Sequence, residues 1–155
     1  MKKVLASILI FLMLLSAMPI AVSADTSFAD VAAGAYYHDA VRWAVEKAIT
    51  NGVEQGRFDP EGYCTRAQAV TFLWRAAGKP LPTDSRNPFT DVPADAYYHT
   101  AVLWAVEQGI TNGVGDGKFA SDLQCTRAQI ATLLYRLAAA SAPKAVNPFS
   151  DVVAG

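Results

Sequence analysis

Apolar positions recur along this chain at helical steps, in blocks separated by short runs of glycine, asparagine and proline. Tyr37, Val41, Ala44, Val45 and Ala48 share one face at three- and four-residue spacing, and Tyr36, Ala40 and Trp43 form a second stripe beside it. Two apolar stripes predict a helix that touches more than one neighbour. Asn51-Gly52, then Gly56 just ahead of Phe58, supply tight-turn chemistry and a short extended stretch too brief for a sheet-based fold. Thr65 with Gln68 then forms a capping-box pattern that opens a second helix, in which Val70, Leu73, Trp74 and Ala77 repeat at helical spacing before Gly78 and Pro80 end it.

The whole pattern returns shifted by 61 residues without a gap. Phe28-Ala-Asp30-Val31 becomes Phe89-Thr-Asp91-Val92, and Cys64-Thr65-Arg66-Ala67-Gln68 becomes Cys125-Thr126-Arg127-Ala128-Gln129. The first helix recurs with Tyr98, Val102, Ala105 and Val106 beside Tyr97, Ala101 and Trp104, and the second with Ile130, Leu133, Leu134 and Leu137. Gly109 stands at the end of the repeated first helix, where glycine takes the left-handed conformation easily; its counterpart is Ala48, which predicts a less comfortable stop. A third copy opens at Asn147-Pro148-Phe149-Ser150-Asp151-Val152. The pattern predicts a mainly all-α protein of tandem helix–loop–helix repeats. A fixed internal period marks a modular array, an architecture used more for binding and scaffolding than for single-site catalysis.

Residues 1–24 stand apart from the array. Met1-Lys2-Lys3 precedes an apolar run from Val4 to Leu15, Pro19 breaks it, and Val22-Ser23-Ala24 fits a signal-peptidase site, with Asp25 as the new N-terminus. The run is shorter than the ~20 residues a membrane span needs. We therefore expect a secretory signal at 1–24, repeat 1 at 25–80, a linker at 81–86, repeat 2 at 87–141, and a linker with the start of a third repeat at 142–155. Loss of Lys2 and Lys3 leaves eleven basic against fourteen acidic side chains. That mildly acidic balance argues against a nucleic-acid partner, which rewards clustered Lys and Arg, and no membrane span is expected after signal cleavage.

Cys64 and Cys125 occupy the same place in successive repeats, immediately before the capping threonine. A hydrophobic residue there commonly packs on the first turn of the helix, so two buried thiols are the favoured reading, with a Cys64–Cys125 bridge as the alternative. Arg66 and Arg127 fall in the first helical turn, where the helix dipole disfavours a cation by ~0.3–1 kcal/mol. Two explanations stand level: an anion site in which helix N–H groups and a guanidinium converge on a ligand, or an internal ion pair with Asp30 or Asp91. Those aspartates equally suit a turn-capping role.

Trp43, Trp104 and the Tyr36-Tyr37 and Tyr97-Tyr98 pairs could offer stacking faces, although their helical spacing favours core positions. His38 and His99 lack companions at metal-ligand spacing, and Asn112-Gly-Val-Gly-Asp116-Gly lacks the acidic ligands and closing glutamate of a calcium loop. No metal, cofactor or catalytic group is expected. Nothing matches a catalytic triad, phosphate loop or dinucleotide fingerprint, and Glu46 and Glu107 fall on the outward side of their helices.

Taken in order, Phe-x-Asp-Val, Tyr-Tyr-x-x-Ala-Val-x-Trp-Ala-Val-Glu, Ile-Thr-Asn-Gly, Gly-x-Phe and Thr-Arg-Ala-Gln resemble the S-layer homology domain of bacterial surface proteins. The resemblance covers Phe28 to about Ala77 and Phe89 to about Ala138, with the opening of a third copy from Phe149. It implies three-repeat units packed as a pseudo-threefold helical bundle, here a partial one, that bind an anionic secondary cell-wall polysaccharide, often pyruvylated, whose carboxylate meets the motif arginine. Carried over, the ligand-binding candidates are Arg66, Arg127, Gln68 and Gln129, with Asp30, Asp91, Trp43, Trp104, Gly52 and Gly113 shaping the site. Glutamine stands where the family more often has glutamate, which keeps the capping bond and removes a charge. The expected role is non-enzymatic anchoring of a secreted protein to the cell wall. The alternatives are the leading piece of a larger exported enzyme or adhesin, and a protein-interaction scaffold without sugar affinity. Self-association, or a third repeat supplied by another chain, would complete the three-part architecture.

Overall fold

The computed structural model describes residues 28–138. The expected signal segment and the third-copy opening lie outside the described residues. Four helices follow one another: α1 (His38–Glu46), α2 (Arg66–Ala76), α3 (His99–Glu107) and α4 (Arg127–Leu137). Among the described residues there is no strand, only the isolated antiparallel bridges Glu54 to Arg57, Gly115 to Lys118 and Thr65 to Gln124. The fold is mainly all-α, and no described helix is long and apolar enough to cross a membrane.

Local chemistry repeats faithfully. In α2 the Thr65 hydroxyl accepts from the Gln68 N–H at 3.2 Å while the Gln68 side chain accepts from the Thr65 N–H at 2.9 Å. Thr126 and Gln129 make the same two bonds at the start of α4. At the other end of α1, Ala48 lies at φ 53° and Ile49 N–H reaches back to the Ala44 carbonyl; Gly109 at φ 67° and Ile110 reproduce that closure after α3. A left-handed alanine costs roughly 1 kcal/mol, so the uncomfortable stop is present as expected.

Packing breaks the repetition. Within a repeat the two helices do not lie against each other; α2 of the first repeat packs instead on α3 of the second, and less extensively on α4. The core therefore forms between repeats. Ala69 and Val70 of α2 share one buried cluster with Ala101, Val102, Trp104 and Ala105 of α3, together with Ile110, Phe119 and Leu133. α1 and α4 each bury a single residue, Val41 and Leu133. One apolar stripe thus ends in two ways: Trp104 is 4% exposed, and Trp43 is 54% exposed.

Asp30 and Asp91 fold each repeat onto itself. The Asp30 carboxylate accepts the N–H groups of Phe58 and Asp59 at 2.9 and 2.7 Å, and Asp91 accepts those of Phe119 and Ala120, both at 2.8 Å. These bonds bring Phe28 against Phe58 and Phe89 against Phe119, with ring centroids 5.5 and 5.6 Å apart. Gly52 and Gly113 sit under the first ring of each pair at φ 80° and 81°, where a Cβ would collide with the ring and a backbone carbonyl. In the linker, Thr83 donates through both its N–H and its hydroxyl to the Glu107 carboxylate, which ties the connection onto the end of α3.

Candidate functional site

A groove of about 410 Å³ opens where the two repeats meet. Its walls come from the turn after α1 (Thr50, Asn51, Gly52 and Val53), from the loop carrying Phe58, Asp59, Tyr63 and Cys64, and from the face of α2 bearing Gln68, Thr71, Phe72 and Arg75. Tyr97 reaches in from the second repeat and completes it. The equivalent turn and helix face of the second repeat meet no third repeat among the described residues.

The charge in the groove is concentrated in two side chains. Arg75 is held by its Nη1 donating to the Ile49 carbonyl at 3.0 Å, one of the five N–H donors a guanidinium carries. Asp59 is paired with Arg57 at 3.1 Å, so part of its negative charge is already met. Thr71 commits its hydroxyl to the Ala67 carbonyl, and Gln68 commits its amide oxygen to the Thr65 N–H, which leaves the Gln68 amide nitrogen as a donor. The Tyr97 hydroxyl is pushed above its ordinary pKa by burial and by the neighbouring Tyr98, partly offset by the Arg75 guanidinium. It is a neutral donor at physiological pH.

The sequence candidates are distributed unevenly. Gln68 and Gly52 line the groove. Arg66 does not. It is buried, its Nε donates to the Phe119 carbonyl at 2.8 Å, and its guanidinium lies 5.0 Å from the centroid of the Phe119 ring. The first-turn N–H groups of α2 are taken as well, Arg66 by the Leu123 carbonyl at 2.8 Å and Ala67 by that of Ser121 at 3.0 Å. Carbonyls of the second repeat therefore occupy the place where an anion would sit. Neither explanation from the sequence applies at Arg66: the compensation is a carbonyl and an aromatic face, with no pairing to Asp30 or Asp91.

Arg127 and Gln129 are exposed at the start of α4, and no acid pairs with Arg127 among the described residues. Asp30 and Asp91 are turn caps. The carboxyl of Asp30 is held below its ordinary pKa chiefly by the Phe58 N–H; in Asp91 burial pushes upward, and the Phe119 and Ala120 N–H bonds overcome it. Trp43, Trp104 and Gly113 lie outside the groove lining. Cys64 and Cys125 are free thiols, half-buried against the central cluster. Among the described residues no three acids, histidines or cysteines converge as a metal site.

Sequence reasoning missed Arg75 and Tyr63, and weighed Tyr97 as a stacking face but favoured the core for it. Arg75 carried a signal, since Arg136 stands 61 residues on and makes the same bond, donating to the Ile110 carbonyl at 3.1 Å. Tyr97 looked like one turn of an apolar stripe, and only the docking of α3 on α2 carries it to the other repeat.

The model of the S-layer homology domain matches residues 27–70 and 88–131. A cell surface protein of Thermoanaerobacter kivui is 32% identical over 140 residues, covering 88% of this chain and 18% of its own length. An S-layer protein of Bacillus thuringiensis subsp. finitimus is 31% identical over 134 residues, covering 86% of this chain and 16% of that protein. The S-layer protein sap of Bacillus anthracis is 30% identical over 134 residues, with shares of 86% and 16%. The chain thus spans less than a fifth of the length of these relatives.

Proposed function

Because the chain belongs to the S-layer homology family, we propose that it holds an exported protein at the bacterial cell surface by binding an anionic cell-wall polysaccharide non-covalently. The inter-repeat groove carries this reading, since it is built by both repeats and presents the Arg75 cation among neutral hydrogen-bonding groups, with its one acid, Asp59, already paired to Arg57. A sugar carboxylate, such as that of a pyruvyl acetal, meets the Arg75 guanidinium, and charge-assisted bonds of this kind are roughly twice as strong as neutral ones. The Gln68 amide nitrogen and Asn51 serve ring hydroxyls, and Tyr63 and Tyr97 offer aromatic faces to the sugar ring. Arg127, solvent-facing at the start of α4, supplies a second anion contact. The repeats bind and do not catalyse in this reading; the protein they anchor is a continuation of the chain or a partner held by it.

Sedimentation with purified cell wall, before and after removal of pyruvate, tests the proposal. Arg75→Gln is expected to lower wall binding at least about tenfold, the loss of one charge-assisted contact, with an unchanged circular dichroism spectrum. Equal binding of wild type to both wall preparations would sink the pyruvate-specific form, and full binding by Arg75→Gln would place the ligand elsewhere.

The outer faces favour an additional neighbour. Tyr36 and Trp43 at α1, and Leu134 and Tyr135 on α4, are exposed, and a further repeat of the same kind, in this chain or another, would cover them as α2 and α3 cover each other. Light scattering on the secreted chain reads this directly: a strict monomer with cooperative unfolding counts against a need for a second chain.

A further inference from the structure

We propose that Cys64 and Cys125 form a reversible intramolecular disulfide that staples the first repeat to the second. Oxidation is expected because the reading above places the chain outside the cell, where disulfides persist; the geometry itself owes nothing to that reading.

The two cysteines lie 61 residues apart at matching points of separate repeats, a pattern that by itself suggests separate roles. Docking of α2 on the second repeat brings them together. The Arg66 N–H donates to the Leu123 carbonyl at 2.8 Å, and the Cys125 N–H donates to the Cys64 carbonyl at 2.9 Å. Between these bonds Thr65 pairs with Gln124 in an antiparallel bridge. One step further in that register, Cys64 stands directly opposite Cys125.

Directly opposed residues of an antiparallel pair have Cα atoms roughly 4.5–5.5 Å apart, within the ~4.4–6.8 Å that a disulfide spans. Opposed side chains also leave on the same face of the pair, and both cysteines pack against the same buried cluster. The structure holds the dithiol form. Cys64 also lines the groove, so the bond would tie one groove wall to the repeat that contributes Tyr97.

A disulfide of low molecular weight is the oxidant. The Cys125 thiolate attacks one of its sulfurs, forming a mixed disulfide and releasing the first small thiol. Cys64, losing its proton to solvent, attacks the Cys125 sulfur and expels the second. The protein gives up two electrons and two protons, and the small disulfide becomes two thiols. Cys125 is the better first nucleophile: burial raises its pKa but the Arg66 guanidinium opposes this, whereas burial and the neighbouring Cys125 push Cys64 up to about 11.

The test equilibrates the secreted chain with oxidised glutathione, followed by alkylation, mass spectrometry and peptide mapping. Expected are the joint loss of both thiols, a monomer lighter by two hydrogens, a Cys64–Cys125 cross-linked peptide, and a melting midpoint about 10 °C or more above that of the reduced chain. Cys64→Ser and Cys125→Ser should each melt like the reduced wild type and take up one glutathione. Persistence of both thiols in excess oxidant, separate glutathionylation of each cysteine, or disulfide-linked dimers would each overturn the proposal. Failure to bind cell wall would not alter any of these readouts, so the anchoring proposal and this one fail separately.

Discussion

Arg66 and Arg127 share the same local sequence, helix start and capping box, yet their replacement is expected to have very different effects. Arg66→Ala removes a hydrogen bond from a charged donor to the Phe119 carbonyl, of the class that contributes about 1.5–3 kcal/mol. It also removes a desolvated cation from the Phe119 ring, worth up to about 2 kcal/mol. Because these terms share one side chain they are not fully additive, and a loss of about 3 kcal/mol is expected. In a domain of this size that lowers the melting midpoint by roughly 12 °C or more. Arg127→Ala, at an exposed position, should stay within about 0.5 kcal/mol of wild type. Urea unfolding followed by tryptophan fluorescence suits the measurement, since the buried Trp104 reports on the inter-repeat core. Equal destabilisation by the two substitutions, or none by Arg66→Ala, would refute the argument that Arg66 pins the repeats together.

Other consequences follow from single features. Among the described residues the buried Ser121 hydroxyl has no hydrogen-bond partner, so Ser121→Ala should stabilise the fold by about 1 kcal/mol, read as a higher urea midpoint with an unchanged slope. Ala48→Gly relieves a left-handed alanine but loosens the unfolded chain, and the difference leaves a gain of about 0.5 kcal/mol, visible as a small rise in melting temperature. Asp30 and Asp91 have folded pKa values below their unfolded ones, so their stabilisation is complete above pH ~4 and declines as the pH falls through the folded values. Acid titration of the unfolding free energy should show that decline, and Asp91→Asn should flatten it.

Much of the local structure was legible in the residues. Thr65 with Gln68 and Thr126 with Gln129 announced both capping boxes, because that interaction involves only neighbours within one helical turn. Gly109 against Ala48 announced the two helix ends for the same reason. The groove was only partly legible. Gln68 and Gly52 belong to it, but Arg75 and Tyr97 come together through packing between repeats, which periodicity within a repeat does not describe.

The sequence by itself determined the 61-residue period, the order of helices and turns, the capping chemistry and the membership of a repeat family. These are set by short-range interactions, so two similar segments adopt two similar local structures. The tertiary structure decided what each copy's side chains do. Burial depends on whether a neighbouring element covers a face, and the second repeat covers the start of α2 while α4 has no such cover among the described residues. One motif arginine is consequently an internal pin and the other a surface cation. For the same reason one stripe tryptophan is core and the other exposed, and two cysteines that looked independent face each other across the junction.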